Sequence, residues 1–370
     1  MNRRLETVTA IALGMPTGPK GRPETNTDAA MPTSGPMIDT FGRAVRDLRV
    51  SVTDRCNLRC TYCMPAEGLD WLDRSEVLTA AEIVRLVGIS VRELGVRAVR
   101  FTGGEPLLRK DLTEIISAVA ALDPRPEIAL TTNALGLARS AEALAEAGLD
   151  RVNVSLDTVN AAHFAAITRR DRLPDVLAGL SAARAAGLRP VKVNAVLDPD
   201  SGLSDATELL RFCLAEGYEL RIIEQMPLDA EHHWSRTKMI TADQILETLR
   251  AEFDLRPDPA PRGAAPAQRW LVDGYRTPEG EPARVGIIAS VTRPFCGDCD
   301  RTRLTADGQL RNCLFAASET DIRTLLRSTS HSDQDIALRW RQATWSKLPG
   351  HGVNEPGFLQ PSRPMSAIGG

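Results

Sequence analysis

Three cysteines on one short loop constrain this chain more than any other feature of it. Cys56, Cys60 and Cys63 have the spacing C-x3-C-x2-C, and they follow the alternating run 48–53, which predicts a buried strand ending in a loop. Three thiolates can bind three irons of a [4Fe-4S] cube and leave the fourth iron open to a small molecule. A structural zinc knuckle is the alternative, but it favours paired C-x2-C units with a fourth ligand nearby, and no histidine lies near this loop. The loop therefore predicts an iron–sulfur cluster.

An aromatic residue accompanies this cysteine spacing. Tyr62 comes directly before the last cysteine, where its ring could cover an adenine. The segment DRCNLRCTYCMP, residues 54–65, resembles the cysteine loop of the radical S-adenosylmethionine (SAM) family. The resemblance implies that the cysteine triplet holds a [4Fe-4S] cluster and that this cluster binds SAM.

The composition is that of an ordinary soluble globular protein. The 370 residues are 43% hydrophobic and 25% charged, and the formal net charge of −3 argues against a bulk basic surface for nucleic acid. No apolar run approaches the length needed to cross a bilayer. Six of the seven cysteines fall in two triplets, which favours metal ligation in a reducing compartment over a secreted disulfide framework. We therefore expect a cytoplasmic protein without membrane or nucleic-acid partners.

Short β-rich runs alternate with amphipathic helices from about residue 39 onward. This alternation predicts a parallel sheet, and six such units suit an incomplete TIM-like (βα)6 barrel, an α/β fold typical of radical SAM enzymes. Residues 1–38 lack periodicity and predict a disordered tail, the barrel is expected over 39–255, and a C-terminal extension with a second cluster is expected over 256–370. That extension is predicted to begin with a Pro-, Ala- and Gly-rich linker, 256–283. The strands are predicted at 48–53, 98–102, 127–132, 151–155, 191–197, 219–225 and, beyond the linker, 284–291.

Residues suited to ligand binding follow the carboxyl ends of the predicted strands, where the active site of such a barrel forms. Gly103-Gly104-Glu105-Pro106 follows the second strand. Its glycines would let a ligand approach the backbone closely, and Glu105 could accept a hydrogen bond from an ammonium group. The segment resembles the one that binds the amino group of SAM in this family, and a plain Gly-Pro turn is the alternative. Other residues at such ends are Thr131, Ser155, Lys192 and Met226.

A second cysteine triplet lies near the C-terminus. Cys296, Cys299 and Cys313 have the spacing C-x2-C-x13-C without an obvious fourth ligand, which predicts a second [4Fe-4S] cluster with an open iron. Zinc is the alternative, because C-x2-C is a common zinc half-site. Arg301 and Arg303 alternate between these cysteines, so on an extended segment both guanidinium groups point the same way. Two such groups suit a phosphate chain, although most arginine pairs lie on a solvated strand face.

Four features together are similar to those of one branch of the radical SAM family, the enzymes that begin molybdenum cofactor biosynthesis by cyclising GTP. They are the cysteine loop, the segment GGEPLLR, the block FCGDCDRTRLTADGQLRNCL and the terminal Gly369-Gly370, and the resemblance covers about residues 42–370. It implies a lyase that converts GTP to 3′,8-cyclo-7,8-dihydro-GTP. In that reaction a SAM-derived radical takes hydrogen from the ribose 3′ carbon, which then bonds to guanine C8. Two [4Fe-4S] clusters and SAM are the implied cofactors.

The resemblance also implies roles for individual residues. The first triplet holds the cluster that binds SAM, and the second holds an auxiliary cluster whose open iron faces the guanine. Arg301, Arg303, Gly369 and Gly370 are expected to take part in catalysis, the glycines by entering the site as a slim tail. SAM is expected to contact Tyr62, Gly103, Gly104, Glu105, Ser155 and Met226. GTP is expected to contact Arg49, Arg100, Thr131, Lys192, Arg301 and Arg303.

Partners follow from the same resemblance. They are GTP, a reduced electron donor of the flavodoxin or ferredoxin type, the next pathway enzyme (cyclic pyranopterin monophosphate synthase) and a second copy of the chain in a homodimer. Two rival interpretations stay open on the residues alone: a peptide-modifying radical SAM maturase with an auxiliary cluster, and a non-catalytic module whose triplets hold zinc. One position departs from the family, because Asn133-Ala134 stands where Asn-Gly is usual. If residue 134 has a positive φ, alanine is the poorer choice, and the local loop would differ.

Overall fold

The computed structural model describes residues 30–369. Most of the tail predicted over residues 1–38 therefore lies outside the described residues. Of its last residues, Met37 is fully buried, and its backbone N–H donates to the carbonyl oxygen of Leu94 at 2.9 Å. The chain thus packs against the rest of the protein from Met37 onward.

Six parallel strands form the centre of one large sheet, and they neighbour each other in sequence order. Each begins and ends within two residues of its predicted run, because short β-branched segments between helices mark such strands clearly. The predicted α/β fold with a parallel sheet is confirmed. The strands are β1 (Asp47–Ser51), β2 (Ala98–Thr102), β3 (Glu127–Thr132), β4 (Arg151–Ser155), β5 (Val191–Val196) and β6 (Glu219–Ile223).

The C-terminal region adds strands to both edges of this sheet. On one side β9 (Pro282–Ile288) pairs parallel with β6, and the antiparallel strands β8 (Gln268–Arg276) and β7 (Leu255–Pro257) follow outward. On the other side β10 (Arg301–Leu304) pairs parallel with β1, followed by antiparallel β11 (Gln309–Arg311) and β12 (Thr320–Asp321). The pairing of β10 with β1 places Cys299 near the start of β1, whereas the first triplet follows the end of that strand.

The linker predicted over 256–283 is wrong in its second half. Strand β8 covers nine residues there, and its Trp270, Leu271 and Val272 are buried. The proline-rich stretch that suggested a linker stops at Pro266, directly before this apolar run. Pairing with β9 satisfies the backbone of β8, so the segment forms part of the sheet.

Ten helices occur among residues 30–369. Three of them begin with capping boxes, in which each pair exchanges side-chain-to-backbone hydrogen bonds: Thr79 with Glu82, Thr241 with Gln244, and Ser332 with Asp335. No helix in the described range combines the length and apolarity that a membrane span requires. The helices are α1 (Ala80–Arg92), α2 (Leu112–Ala120), α3 (Leu137–Glu146), α4 (Ala161–Thr168), α5 (Leu173–Ala185), α6 (Gly202–Glu216), α7 (Ala242–Arg250), α8 (Arg323–Arg327), α9 (Asp333–Trp345) and α10 (Met365–Ile368).

Alternation along the strands separates an apolar layer from a polar face. In β1, Leu48 and Val50 are fully buried in the main hydrophobic core, together with Leu86 of α1 and Ile115 of α2. Because neighbouring side chains point to opposite faces of a strand, the residues between them lie on the other side of the sheet. That other side carries the polar residues described next.

Candidate active site

Four arginines lie on the polar face of three neighbouring strands. Arg49 of β1 lies opposite Arg100 of β2 on one side and Arg303 of β10 on the other. Arg301 lies one inward position earlier on β10, opposite Asp47 of β1. We call Arg49, Arg100, Arg301 and Arg303 the arginine cluster. The structure thus brings together four of the six residues predicted to bind GTP.

The arginine cluster carries positive charge that the protein does not balance. Burial raises the pKa of Asp47, but the four arginines outweigh burial and hold that pKa below its usual value. Burial also lowers the pKa of Arg49, Arg100 and Arg303, so their charged forms lack solvation. Within residues 30–369, the buried Nε atoms of Arg49, Arg100 and Arg301 have no hydrogen-bond acceptor. An anion with several oxygens would supply both charge and acceptors.

The polar face continues across β3, β4, β5 and β6. Thr131, Asn153 and Lys192 occupy one row of the sheet, and Lys192 pairs with Glu219 at 2.9 Å. Arg221 donates from Nη2 to Oδ1 of Asn153 at 2.6 Å. Thr131 and Lys192 were predicted site residues, and the structure sets both in this row.

Arg221 and Asn153 were not among the predicted site residues. Arg221 is 7% exposed, and burial lowers its pKa to about 10. The sequence did contain a signal for Arg221. It lies two residues after Glu219 on the same strand, so both side chains point to one face of the sheet, the face that carries Lys192. Arg221 thus adds a further buried cation to the polar face.

The cysteine loop follows β1 directly. Its three cysteines are free and partly buried, and Cys60 accepts a backbone hydrogen bond from Cys63 at 2.9 Å. Burial raises the pKa of all three thiols, and for Cys63 to about 12; neighbouring cysteines add to the effect at Cys60 and Cys63. Iron would displace these protons, because thiolates are the ligands of iron–sulfur clusters.

The donor sets fit iron–sulfur cubes in number and type. In residues 30–369, no three His, Cys, Asp or Glu side chains are grouped so that they could hold one metal ion. In a cube each thiolate binds a different iron, so three thiols need not converge on one point. Each triplet offers three free thiols and so leaves one iron of a cube without a protein thiolate.

Tyr62 is held against the end of β4. Its hydroxyl donates to Oδ2 of Asp157 at 2.8 Å, and Oδ1 of Asp157 accepts from the backbone N–H of Val196 at 2.8 Å. Burial raises the pKa of Asp157 to about 6 and that of Tyr62 well above its usual value. Ser155, the predicted SAM contact, ends the same strand two residues before Asp157 and is half-buried. The bonds of Asp157 therefore orient the aromatic ring of the cysteine loop.

The GGEP segment packs directly on the cysteine loop. A Cβ added to Gly104 would lie less than 3.0 Å from the carbonyl oxygens of Asp54 and Arg55, so only glycine fits. The backbone N–H groups of Gly104 and Glu105 donate to Thr53 at 2.9 Å and to Arg55 at 2.7 Å. The glycines thus fasten this segment to the loop that holds the first triplet.

Glu105 makes hydrogen bonds within the protein. Its carboxylate is fully buried and accepts from Thr132 Oγ1 at 2.6 Å and from the backbone N–H groups of Asn133 and Leu107 at 2.7 and 2.9 Å. Burial nevertheless raises its pKa to about 7. The carboxylate joins the ends of β2 and β3, in addition to any bond with a ligand.

Residue 134 has the backbone conformation that a glycine would favour. Ala134 has φ of +64° and is fully buried. Its backbone N–H donates to Thr132 Oγ1 at 2.9 Å, which holds the turn. The loop therefore has an alanine at a left-handed position, where glycine would be unstrained.

The C-terminal tail ends beside the arginine cluster. The carbonyl oxygen of Gly369 accepts a hydrogen bond from Nη1 of Arg303. A Cβ on Gly369 would overlap Ser51 Oγ and lie 2.9 Å from Thr102 Cγ2, so the residue fills a gap between the ends of β1 and β2. The predicted contribution of Gly370 lies outside the described residues.

The predicted SAM contact Met226 lies three residues after β6. It is half-buried and packs on a second hydrophobic cluster formed by Met239, Val291 and Val353. The backbone nearby meets the C-terminal tail, because the N–H of Met365 donates to the carbonyl oxygen of Leu228 at 3.1 Å.

Comparisons with known proteins agree on the kind of protein. The family model described as Radical SAM superfamily matches residues 50–213, and the model described as Molybdenum Cofactor Synthesis C matches residues 218–353. A protein named GTP 3′,8-cyclase from Mycolicibacterium smegmatis is 62% identical over 364 residues, covering 98% of this chain and all of the relative. One of the same name from Mycobacterium marinum is 62% identical over 365 residues with the same coverage.

A solved structure shares the fold at low identity. Streptococcus suis SuiB bound to S-adenosylmethionine superposes with a TM-score of 0.53 at 14% identity, covering 87% of this chain and 68% of SuiB. This likeness supports the radical SAM fold.

Proposed function

The chain belongs to the GTP 3′,8-cyclase family of radical SAM enzymes, and we propose how its residues cyclise GTP to 3′,8-cyclo-7,8-dihydro-GTP, the first step of molybdenum cofactor biosynthesis. The observation that carries the proposal is the arginine cluster on the face between the two cysteine blocks, where the buried Nε atoms of Arg49, Arg100 and Arg301 have no acceptor within residues 30–369. A peptide substrate would give three buried guanidinium groups little to bind, whereas a triphosphate offers many oxygens.

Cys56, Cys60 and Cys63 hold the [4Fe-4S] cluster that radical SAM enzymes require. When bound, this cluster and SAM supply the one-electron chemistry that starts the reaction. The chain's own residues shape the place where SAM lies. Tyr62, oriented by Asp157, presents its ring beside the cysteines, and the backbone of Gly103 and Gly104 lies against the same loop. Ser155 ends β4, Met226 follows β6 by three residues, and the two complete the set.

The arginine cluster binds the triphosphate of GTP. The four guanidinium groups interact electrostatically with one carboxylate, Asp47 of β1. Because burial removes the water that would otherwise solvate them, the phosphate oxygens would take its place as hydrogen-bond acceptors. Lys192 and Thr131 extend the site along the sheet, and the ion pair with Glu219 holds the lysine there. Binding at this many points would fix the ribose relative to the SAM site. Such positioning of the substrate is a principal way in which a protein assists a reactive cofactor.

The second triplet holds an auxiliary [4Fe-4S] cluster in this proposal. Cys296, Cys299 and Cys313 are free thiols, and two of the arginines come from the strand between them. If these thiols held a [4Fe-4S] cluster, the iron without a protein thiolate would be free to bind the guanine base of GTP. Residues 295–314 thereby contribute both to the site for the purine and, through Arg301 and Arg303, to the site for the triphosphate.

The C-terminal tail closes the site. Gly369 bonds to Arg303 and fills the space between Ser51 and Thr102, so it excludes water from the arginine cluster. Exclusion of water protects a reactive intermediate and strengthens each charge–charge contact. Arg363 anchors the tail through two hydrogen bonds to Asp307, at 2.6 and 3.0 Å.

Anaerobic turnover tests the proposal. Protein reconstituted with iron and sulfide is incubated with SAM, a strong reductant and GTP, and the cyclised nucleotide is detected by mass spectrometry. ATP, which has a triphosphate but a different base, serves as the matched control and should give no cyclised product. Absence of cyclised GTP, or modification of a peptide instead, would refute the assignment.

Metal analysis tests the two clusters separately. We expect about eight irons per chain with both triplets intact. Replacing Cys296, Cys299 and Cys313 with alanine should leave about four irons. Zinc at either triplet, with no iron there, would contradict the proposal for that site.

The remaining partners are part of the proposal. A flavodoxin- or ferredoxin-type donor would supply the electrons, cyclic pyranopterin monophosphate synthase would take the product, and the enzyme would act as a homodimer. Light scattering of the reconstituted protein tests the dimer directly, and a monomer at working concentrations would contradict it.

A further inference from the structure

Lys347 is a buried cation beside the second triplet, just beyond helix α9. It is 4% exposed, and its Nζ lies 3.0 Å from the carbonyl oxygen of Cys299, 3.0 Å from that of Arg301 and 3.4 Å from Cys299 Sγ. An ammonium group has three N–H donors, so these three acceptors use all of them. None of the roles assigned above involves this lysine.

Lys347 lacks a carboxylate partner. Among the lysines of residues 30–369, Lys192 forms an ion pair, with Glu219, whereas Lys347 forms none. A buried charge without a partner costs several kcal/mol, so a countercharge should lie nearby in the working protein. The thiol of Cys299 lies 3.4 Å from Nζ and can become an anion, whereas the carboxyl group of Asp300 interacts with the lysine only beyond ion-pair distance. Cys299 is an anion when it binds iron.

Lys347 contacts one ligand of the second triplet directly. Its Nζ lies 3.4 Å from Cys299 Sγ, and within residues 30–369 it makes no hydrogen bond to Cys296 or Cys313. The cation is therefore placed to act most directly on Cys299.

The segment that carries Lys347 is fastened to the cysteine block at a second point. Arg43 donates to the carbonyl oxygen of Cys296 at 2.7 Å and to those of Leu348 and Pro349 at 2.7 and 3.0 Å. Asp39 holds Arg43 in place through an ion pair at 2.6 Å. Lys347 is thus kept against Cys299 by contacts that do not depend on the thiol.

We propose that Lys347 positions Cys299 and balances the charge of the auxiliary cluster, and so sets how readily that cluster accepts an electron. The inference rests on the proposed function, because it requires a [4Fe-4S] cluster on the second triplet. A positive charge and an N–H donor at a ligand sulfur both stabilise the reduced form, which carries one more negative charge. Lys347 is a positioning residue, since it reaches the cluster through its ligand.

The test uses the full chain with the first triplet replaced by alanine, so that any cluster belongs to the second triplet. Iron content is measured first. A redox titration followed by electron paramagnetic resonance then gives the midpoint potential. Lys347→Met removes charge and donors, Lys347→Gln keeps donors without charge, and Lys347→Arg keeps the charge. Lys238→Met, an exposed lysine, is the matched control.

We expect Lys347→Met and Lys347→Gln to lower the reduced-to-oxidised ratio at a fixed potential about tenfold, which is about 59 mV for one electron. Lys347→Arg should retain most of the parent value, and Lys238→Met all of it. Loss of the cluster from both neutral variants, with retention in Lys347→Arg, would also support the proposal.

Neutral variants that keep their iron and the parent potential would overturn the inference while leaving the proposed function intact. If Lys347→Met does not fold, the comparison of Lys347→Gln with Lys347→Arg decides. Both variants keep N–H donors, but only Lys347→Arg keeps the positive charge. A parent protein without iron on the second triplet would instead refute the auxiliary cluster itself. The two failures are therefore distinguishable.

Discussion

Replacing Gly369 with alanine should expel the C-terminal tail from the active site. The added Cβ would overlap Ser51 Oγ and lie 2.9 Å from Thr102 Cγ2, and the residue has φ of +81°, where alanine is strained. A left-handed backbone costs an alanine roughly 1–2 kcal/mol. Overpacking a filled site costs roughly a further 1–3 kcal/mol.

The sum of about 2–5 kcal/mol corresponds to a factor of at least about 30 in the population with the tail inserted. Because Gly369 lies outside every strand of the sheet, after α10, folding of the barrel should not suffer. Formation of cyclised GTP should therefore fall about thirtyfold or more, while the thermal midpoint stays the same. Product formation by mass spectrometry and a thermal melt measure both quantities.

Gly357→Ala is the matched control for this prediction. Gly357 lies in the same C-terminal segment with φ of +84°, but a Cβ there would meet nothing within 4 Å. Gly357→Ala therefore introduces the same kind of backbone strain without the steric overlap, and it does so away from the active site. Equal cyclisation rates in Gly369→Ala and Gly357→Ala would refute the reasoning that the tail closes the site.

Three further predictions follow from single residues. Arg301→Ala should weaken GTP binding about tenfold to a hundredfold, the loss of roughly 1.5–3 kcal/mol for charged hydrogen bonds, while SAM binding is unchanged; calorimetry with each ligand checks this, and equal loss of both would contradict a phosphate role. Ala134→Gly should raise the thermal midpoint by a few degrees at unchanged activity, because it removes roughly 1 kcal/mol of backbone strain at a φ of +64°. A lower midpoint would contradict this prediction and show that the packing of the lost methyl group outweighs the strain. In the folded protein, burial raises the pKa of Glu105 from 4.5 to about 7, so the folded state binds this proton more tightly than the unfolded state. The contribution of Glu105 to the free energy of unfolding is therefore greatest below about pH 4.5 and falls as the pH rises through 7. Urea unfolding of cluster-free protein should show that dependence on pH, and Glu105→Gln should flatten it.

Local features of this protein could be predicted well from the sequence. The strands β1 to β6 and the capping boxes at Thr79 and Thr241 depend on residues close together in the chain, so their patterns are complete in the sequence. The cysteine spacings identify iron ligands for the same reason, because ligand chemistry depends on residue type. Strand β8 was missed because the prolines before it resemble a linker, and its partner β9 lies elsewhere in the chain.

Contacts between distant segments required the tertiary structure. The sequence placed Arg301 and Arg303 on one strand face, but their meeting with Arg49 depends on the pairing of β10 with β1 across some 250 residues. Lys347 gave no signal, because a lone lysine after a helix is usually exposed. Its approach to Cys299 follows from how α9 packs.

The sequence by itself determined which chemistry this protein can carry: two sets of three thiols, a glycine-rich turn and two arginines, Arg301 and Arg303, on one face of a strand. The tertiary structure decided where these groups meet, that Glu105 joins two strands, that Gly369 fits beside Arg303, and that a lysine neighbours Cys299. The physical reason is that residue type and short-range spacing fix ligand chemistry and local backbone geometry. Strand register and packing depend on partners far away in the chain, which no local pattern names.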